Sequence, residues 1–175
     1  DLVEKEIVPY ASEMDETGKL HEGLLEKLAA QGLLGVAIPE EFGGAGLDAI
    51  TIAAIYEELG KGCAGVATTV AANALASYPV IIAGNDDQKK RYFDIINEDN
   101  LAAFALTEPG TGSDAGSVST RAMKTEDGKG YILNGTKCFI TNGALAEVFV
   151  VFANTRKSGG IRGLTAFIVR KEAKG

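Results

Sequence analysis

Tryptophan is missing from these 175 residues, histidine occurs once and cysteine twice. The lone histidine, His21, excludes any centre that needs two imidazoles. Its neighbourhood from Lys19 to Glu26 reads as the start of an amphipathic helix, with His21 on the exposed surface. Cys63 and Cys138 lie far apart without CxxC spacing, which gives no metal-ligand pattern and fits a reducing compartment. Positive charge is scarce too: 17 Lys and Arg against 24 Asp and Glu leave a net charge of −7. Nucleic-acid binding needs clustered cations, and the basic run Lys89-Lys90-Arg91 is flanked by Asp86, Asp87 and Asp94 on the same predicted helix. A solvated helix face accounts for it. Residues Asp1 to Glu6 are charged rather than apolar, unlike a signal peptide, and the lack of an initiator Met points to a trimmed start. One uncharged stretch, Gly62 to Asn85, reaches membrane-spanning length. It consists mostly of small residues, is interrupted by Asn73 and Pro79, and has no flanking aromatic belt, so a helix buried inside a protein is expected.

The apolar residues follow two different periods. Up to about Asn100 the spacing is helical: Ile52, Ile55, Tyr56 and Leu59 form one stripe after a capping candidate at Asp48. Leu24, Leu25 and Leu28 form another, ended by Gly32. Asn85 and Gln88 have the spacing of a capping box ahead of Tyr92, Phe93 and Ile96. Pro9 should kink or break the opening helix, and the Pro- and Gly-rich segment Ile38 to Gly46 should form a shaped loop. After Leu101 the pattern turns β-like. Val118 to Thr125 should join Tyr131-Ile132-Leu133 through the turn Asp127-Gly128. Asn134-Gly135 then predicts a type I′ hairpin into a strand over Lys137 to Thr141. Glu147 to Ala153 is apolar on both faces and predicts a central strand, and Leu164 to Val169 predicts one more. The fold class expected is α+β: an all-α domain over residues 1–100, then an incomplete antiparallel β-barrel domain over residues 101–175.

Gly110-Thr111-Gly112-Ser113-Asp114-Ala115 fits the G-x-G-x-x-A dinucleotide fingerprint. That motif works only where a helix follows to hold the pyrophosphate, and Ser117 to Ala122 has no helical stripe. The Rossmann reading fails on context. The same turn still suits an anion, through converging backbone N–H groups and the hydroxyls of Thr111 and Ser113.

The surrounding residues are more specific. Phe104-Ala105-Leu106-Thr107-Glu108-Pro109-Gly110-Thr111-Gly112-Ser113-Asp114 closely resembles the signature of the acyl-CoA dehydrogenase family. Asn134 to Gly143, NGTKCFITNG, resembles its second motif, and the helical half is similar along EKEIVPYASEMDETGKL, GLLGVAIPEEFGGAGLD and DDQKKRY. The resemblance covers essentially the whole chain. It implies FAD as cofactor, held by Phe104, Leu106, Thr107, Gly112, Ser113, Phe139, Ile140 and Thr141. Phe139 would cover one flavin face, Ile140 and Thr141 would line the ring, and Ser113 would lie near the pyrophosphate and the CoA of the substrate. The implied partners are an acyl-CoA thioester, an electron-transfer flavoprotein, and further copies of the chain in a dimer or tetramer. The implied location is the bacterial cytoplasm or, second, the mitochondrial matrix.

In the family, the carboxylate that removes the proton α to the thioester comes from a later helical domain, and nothing in these residues corresponds to it. This piece is therefore expected to be inactive on its own, with no catalytic and no metal-binding residue named. Glu108 precedes Pro109 in the signature turn and is expected to be structural. Small residues over Val66 to Leu75 leave the acyl length open, with a lean toward a short straight chain. Alternatives on the same scaffold are an acyl-CoA oxidase or a flavin monooxygenase, and outside catalysis a ligand-binding or assembly module.

Overall fold

The computed structural model describes residues 1–156 and 160–174. Five α-helices precede a five-stranded sheet. Around Pro9 the chain abandons α geometry: a single π turn over Val3–Ile7 and a 3-10 turn over Val8–Tyr10 precede α1, Ala11–Thr17. A missing proline N–H and the ring's clash with the preceding turn make this break. α2 covers Leu24–Ala30 and buries Leu24 and Leu28, and Gly32 follows it in the left-handed conformation at φ +71°. α3, Ala49–Gly62, is capped as its sequence predicts, with the Asp48 carboxylate accepting the N–H of Ile50 and Thr51. α5, Asp86–Asn97, opens with the reciprocal Asn85–Gln88 capping box.

The uncharged run forms α4, Ala64–Ala83. By length and composition it could cross a membrane, yet half of its most apolar stretch is buried inside the fold. One face packs Val66, Val70, Ala76 and Val80 into the core, while Leu75, Tyr78 and Ile82 stay exposed. The expectation of a buried helix holds for the first face alone.

The sheet contains β1 (Ala102–Ala105), β2 (Arg121–Lys124), β3 (Tyr131–Asn134), β4 (Val148–Asn154) and β5 (Leu164–Arg170). β4 is central, as its two-sided apolar sequence predicts: Val148 and Val150 face one core cluster, and Phe149 packs against the other. The sheet is open and mixed rather than antiparallel throughout. β4 pairs with β1 in parallel over Ala102 to Ala105 and with β5 antiparallel along its full length. The chain from 106 to 147 makes the crossover that a parallel pair requires. Ala102 and Ala103 point into opposite core clusters, so β1 is enclosed between the helices and the rest of the sheet.

Two local expectations are corrected. The β2–β3 hairpin turns at Asp127-Gly128, with Gly128 at φ +68°, but no second hairpin forms at Asn134-Gly135. A type I′ turn needs positive φ at both residues, and neither has it. Gly135 serves close approach instead: a Cβ there would lie 2.3 Å from Thr120 Oγ1 and 2.7 Å from Thr120 Cα. Residues 135–140 consequently run as an irregular segment, and Lys137 to Thr141 is not a strand. His21, in turn, precedes α2 and is not an exposed helix residue. Its ring stacks on Tyr10 with centroids 3.5 Å apart, and its side chain is 25% exposed.

Candidate functional site

A groove of about 530 Å³ opens where α3 and α4 meet the end of β1 and the segment after β3. The helices contribute Tyr56, Thr68, Ala71, Leu75 and Tyr78, and the sheet side contributes Phe104, Leu106, Thr107, Phe139 and Thr141. No charged residue lines it among those described. Burial, and then the neighbouring Tyr78 phenol, push the Tyr56 hydroxyl up to about 12. Small side chains at positions 71, 72 and 74 of α4 leave the space open.

Phe104, Leu106, Thr107, Phe139 and Thr141, singled out by sequence, therefore meet in one place. Ile140 turns away and packs against the core cluster of the helical half. Gly112 and Ser113 lie outside the groove, on the exposed turn after Glu108. The tight turn just before them, Pro109-Gly110, is closed by paired 3.0 Å hydrogen bonds between the backbones of Glu108 and Thr111. Thr111 is buried, and its hydroxyl donates to Ser117 O at 3.0 Å, so it is not free for an anion. A Cβ at Gly110 or Gly112 would meet nothing within 4 Å, which leaves the backbone approachable from solvent. Only a 3-10 turn, Ala115–Ser117, follows, so the helix that a Rossmann fingerprint requires is not there.

Phe139 is the exceptional residue. The residue is 93% exposed and its backbone is left-handed at φ +55°. Both features are unfavourable for an isolated phenylalanine, and strained residues of this kind gather at ligand clamps. The neighbouring segments hold it there. The Cys138 N–H donates to Thr107 O at 3.0 Å, and Lys137 Nζ donates to Leu106 O at 2.8 Å. Asn142, itself at φ +63°, donates to Thr69 O at 3.0 Å and Ala102 O at 3.1 Å, joining α4 to β1.

Glu108 is buried and lies outside the groove lining. Its carboxylate accepts the N–H and hydroxyl of Ser119 at 2.7 and 2.6 Å, the N–H of Thr120 at 2.9 Å, and the Thr120 hydroxyl. Lys137 completes the set at 2.8 Å. Burial pushes the carboxyl upward, but Lys137, Ser119 and Thr120 together outweigh it and hold it far below the usual carboxylate range. A carboxylate held so is a weak proton acceptor, and its oxygens are taken up by Ser119, Thr120 and Lys137. Lys137, Asn142, Tyr56 and Tyr78 were not among the site residues named from the sequence. A lysine at 12% side-chain exposure carries no mark of burial in its own sequence, and the left-handed asparagine is equally silent.

Comparison with known proteins places this geometry in a family. Residues 1–98 match the model of the acyl-CoA dehydrogenase N-terminal domain, and residues 103–175 match that of the acyl-CoA dehydrogenase middle domain. The chain belongs to the acyl-CoA dehydrogenase family. An acyl-CoA dehydrogenase of Bacillus subtilis is 40% identical over 177 residues, covering 100% of this chain and 46% of that relative. Butyryl-CoA dehydrogenase from Megasphaera elsdenii superposes with a TM-score of 0.87 at 40% identity, over 98% of this chain and 46% of its own. An acyl-CoA dehydrogenase of Bacillus anthracis, solved with FAD, gives 0.84 at 39% identity, over 98% of this chain and 29% of its own. The chain thus spans less than half the length of these acyl-CoA dehydrogenases. Its groove draws on both matched regions, Tyr56 to Tyr78 from the first and Phe104 to Thr141 from the second.

Proposed function

We propose that this chain forms the flavin-facing portion of an FAD-dependent acyl-CoA dehydrogenase, with residues 1–100 as the helical domain and 101–175 as the flavin-binding one. One observation carries the reading: residues from two separate motifs, Phe104-Leu106-Thr107 and Phe139-Thr141, line a single uncharged groove under an exposed, strained phenylalanine. The residues fit the cofactor. A flat ring with few polar atoms needs an apolar wall and a small number of fixed polar groups. Phe104, Leu106 and Phe139 provide the first, and the hydroxyls of Thr107 and Thr141 the second. The open backbone at Gly112, beside exposed Ser113, suits a pyrophosphate and the CoA phosphates. Ile140 contributes by anchoring the segment from behind.

FAD, when bound, supplies the hydride acceptor for α,β-dehydrogenation of an acyl-CoA. The chain's own residues orient the ring, exclude water from it and shape the acyl side of the groove through Thr68, Ala71 and Leu75. Proton removal α to the thioester needs a carboxylate within hydrogen-bond reach. No acid lines the groove among the described residues, and Glu108 is fully engaged elsewhere. The base is therefore assigned to a part of the enzyme outside these residues, and residues 1–175 alone are inactive. The electron acceptor is an electron-transfer flavoprotein, and the full enzyme is a homo-oligomer in the bacterial cytoplasm or the mitochondrial matrix.

The full-length polypeptide is expected to purify with FAD and to bleach on adding an acyl-CoA. Residues 1–175 should give no acyl-CoA-dependent dye reduction. Dye reduction by residues 1–175 would put the base among them, and a full-length protein without flavin would remove the reading altogether.

A further inference from the structure

We infer that Lys137 is a positioning residue, whose buried ammonium sets the Phe139–Thr141 wall of the groove against the Leu106–Thr107 wall. The inference rests on the flavin reading above and goes beyond it, because Lys137 itself lines no part of the groove. Its Nζ lies 2.8 Å from both Leu106 O and Glu108 Oε1, with side-chain exposures of 12% for Lys137 and 2% for Glu108. One cation thus ties the segment after β3 to the backbone carbonyl of a wall residue 31 positions earlier. The adjacent Cys138 N–H to Thr107 O bond repeats the link one residue along.

A lysine is a costly choice for packing alone, since buried ion pairs are often replaceable by apolar residues without loss of stability. Geometry supplies the reason to keep it. Phe139 and Asn142 both hold left-handed backbones at φ +55° and +63°, and such conformations persist only where the surroundings over-determine them. Asn142 secures one end of the segment through Thr69 O and Ala102 O. Lys137 secures the other. Glu108, held by Ser119 and Thr120, is the fixed post to which Lys137 is tethered. Without the ammonium, the segment remains attached at Asn142 but loses its register where the two walls meet.

The test uses Lys137→Met, which keeps the apolar stem, and the neutral pair Glu108→Gln/Lys137→Met, which avoids leaving a buried carboxylate unpaired. Amide exchange of Cys138 is read in residues 1–175, and FAD affinity in the full-length enzyme. Exchange at Cys138 is expected to quicken at least about tenfold in both variants, while amides inside α3 keep their protection. The FAD Kd is expected to rise at least about tenfold. Asn85→Ala, which removes the capping box of α5, an element that lines no part of the groove, serves as the stability control and should leave the FAD Kd within about twofold of wild type. The inference is overturned if the double variant retains wild-type Cys138 exchange, or if Asn85→Ala weakens FAD as much as the Lys137 variants do. Should the full-length wild type bind no FAD, the functional reading fails, and Cys138 exchange still decides whether Lys137 positions the segment.

Discussion

Asn73 joins the two sides of the groove, and its removal has a calculable cost. It is fully buried in α4, between Ala72 and Ala74 of the groove lining. Its Oδ1 accepts the Ala102 N–H at 2.7 Å, and its Nδ2 donates to Leu34 O and Asn100 O at 3.3 and 3.4 Å. In Asn73→Ala the Ala102 N–H, on a residue with no solvent exposure, becomes an unpaired buried donor costing about 1–3 kcal/mol. The two longer bonds contribute roughly 0.5–1 kcal/mol each. The expected loss is about 2–5 kcal/mol, or roughly 4–20 °C in Tm for a chain of this size. Asn73→Leu fills the same space and should lose nearly as much, which separates hydrogen bonding from cavity formation. Thermal unfolding by circular dichroism measures the loss, and amide exchange at Ala102 localises it. A drop in Tm below about 2 °C in Asn73→Ala, with Ala102 still protected, would show that this side chain does not join α4 to β1.

Other residues give sharper contrasts. Phe139→Gly removes an exposed ring and relieves a left-handed backbone, so the Tm should stay level or rise slightly while FAD affinity of the full-length enzyme falls, measured by calorimetry against flavin titration. Gly135→Ala forces a methyl against Thr120 and should destabilise by about 1–3 kcal/mol in urea unfolding. Glu108 sets a pH dependence. Its folded-state carboxyl lies below the unfolded value, so the stability it contributes is complete above about pH 4.3 and is lost as pH falls through the folded value. Urea midpoints of wild type should therefore decline with acid more steeply than those of Glu108→Gln.

Where signals were local and chemically specific, sequence and structure agree. The Asp48 cap, the Asn85–Gln88 box, the Pro9 break and the two-sided β4 each follow from one side chain's bonding or from a run too apolar to face water. Asn134-Gly135 misled because glycine has two uses, positive φ and close approach, and its neighbours in sequence do not say which applies. The parallel pairing of β1 with β4 was hidden for a related reason: hairpin signals are short-range, whereas a crossover of some forty residues leaves none. His21 looked exposed because its stacking partner, Tyr10, lies eleven residues away on another turn. The sheet side of the groove was legible because each motif is contiguous. Its helical side was less so, because Tyr56 reads as part of the apolar stripe of α3 and Tyr78 lies in an uncharged run with no polar face to set it apart. Lys137 was lost the same way, since only the fold reveals that its ammonium is buried.

Flavin titration of the full-length polypeptide, with Phe139→Ala beside wild type, reaches the core of the functional assignment most directly. Wild type should bind FAD stoichiometrically with a perturbed visible spectrum, and Phe139→Ala should bind at least about tenfold more weakly at unchanged Tm. A correctly folded wild type that takes up no FAD, or an alanine variant with unaltered affinity and spectrum, would contradict a flavin ring lying against Phe104, Leu106, Thr107, Phe139 and Thr141.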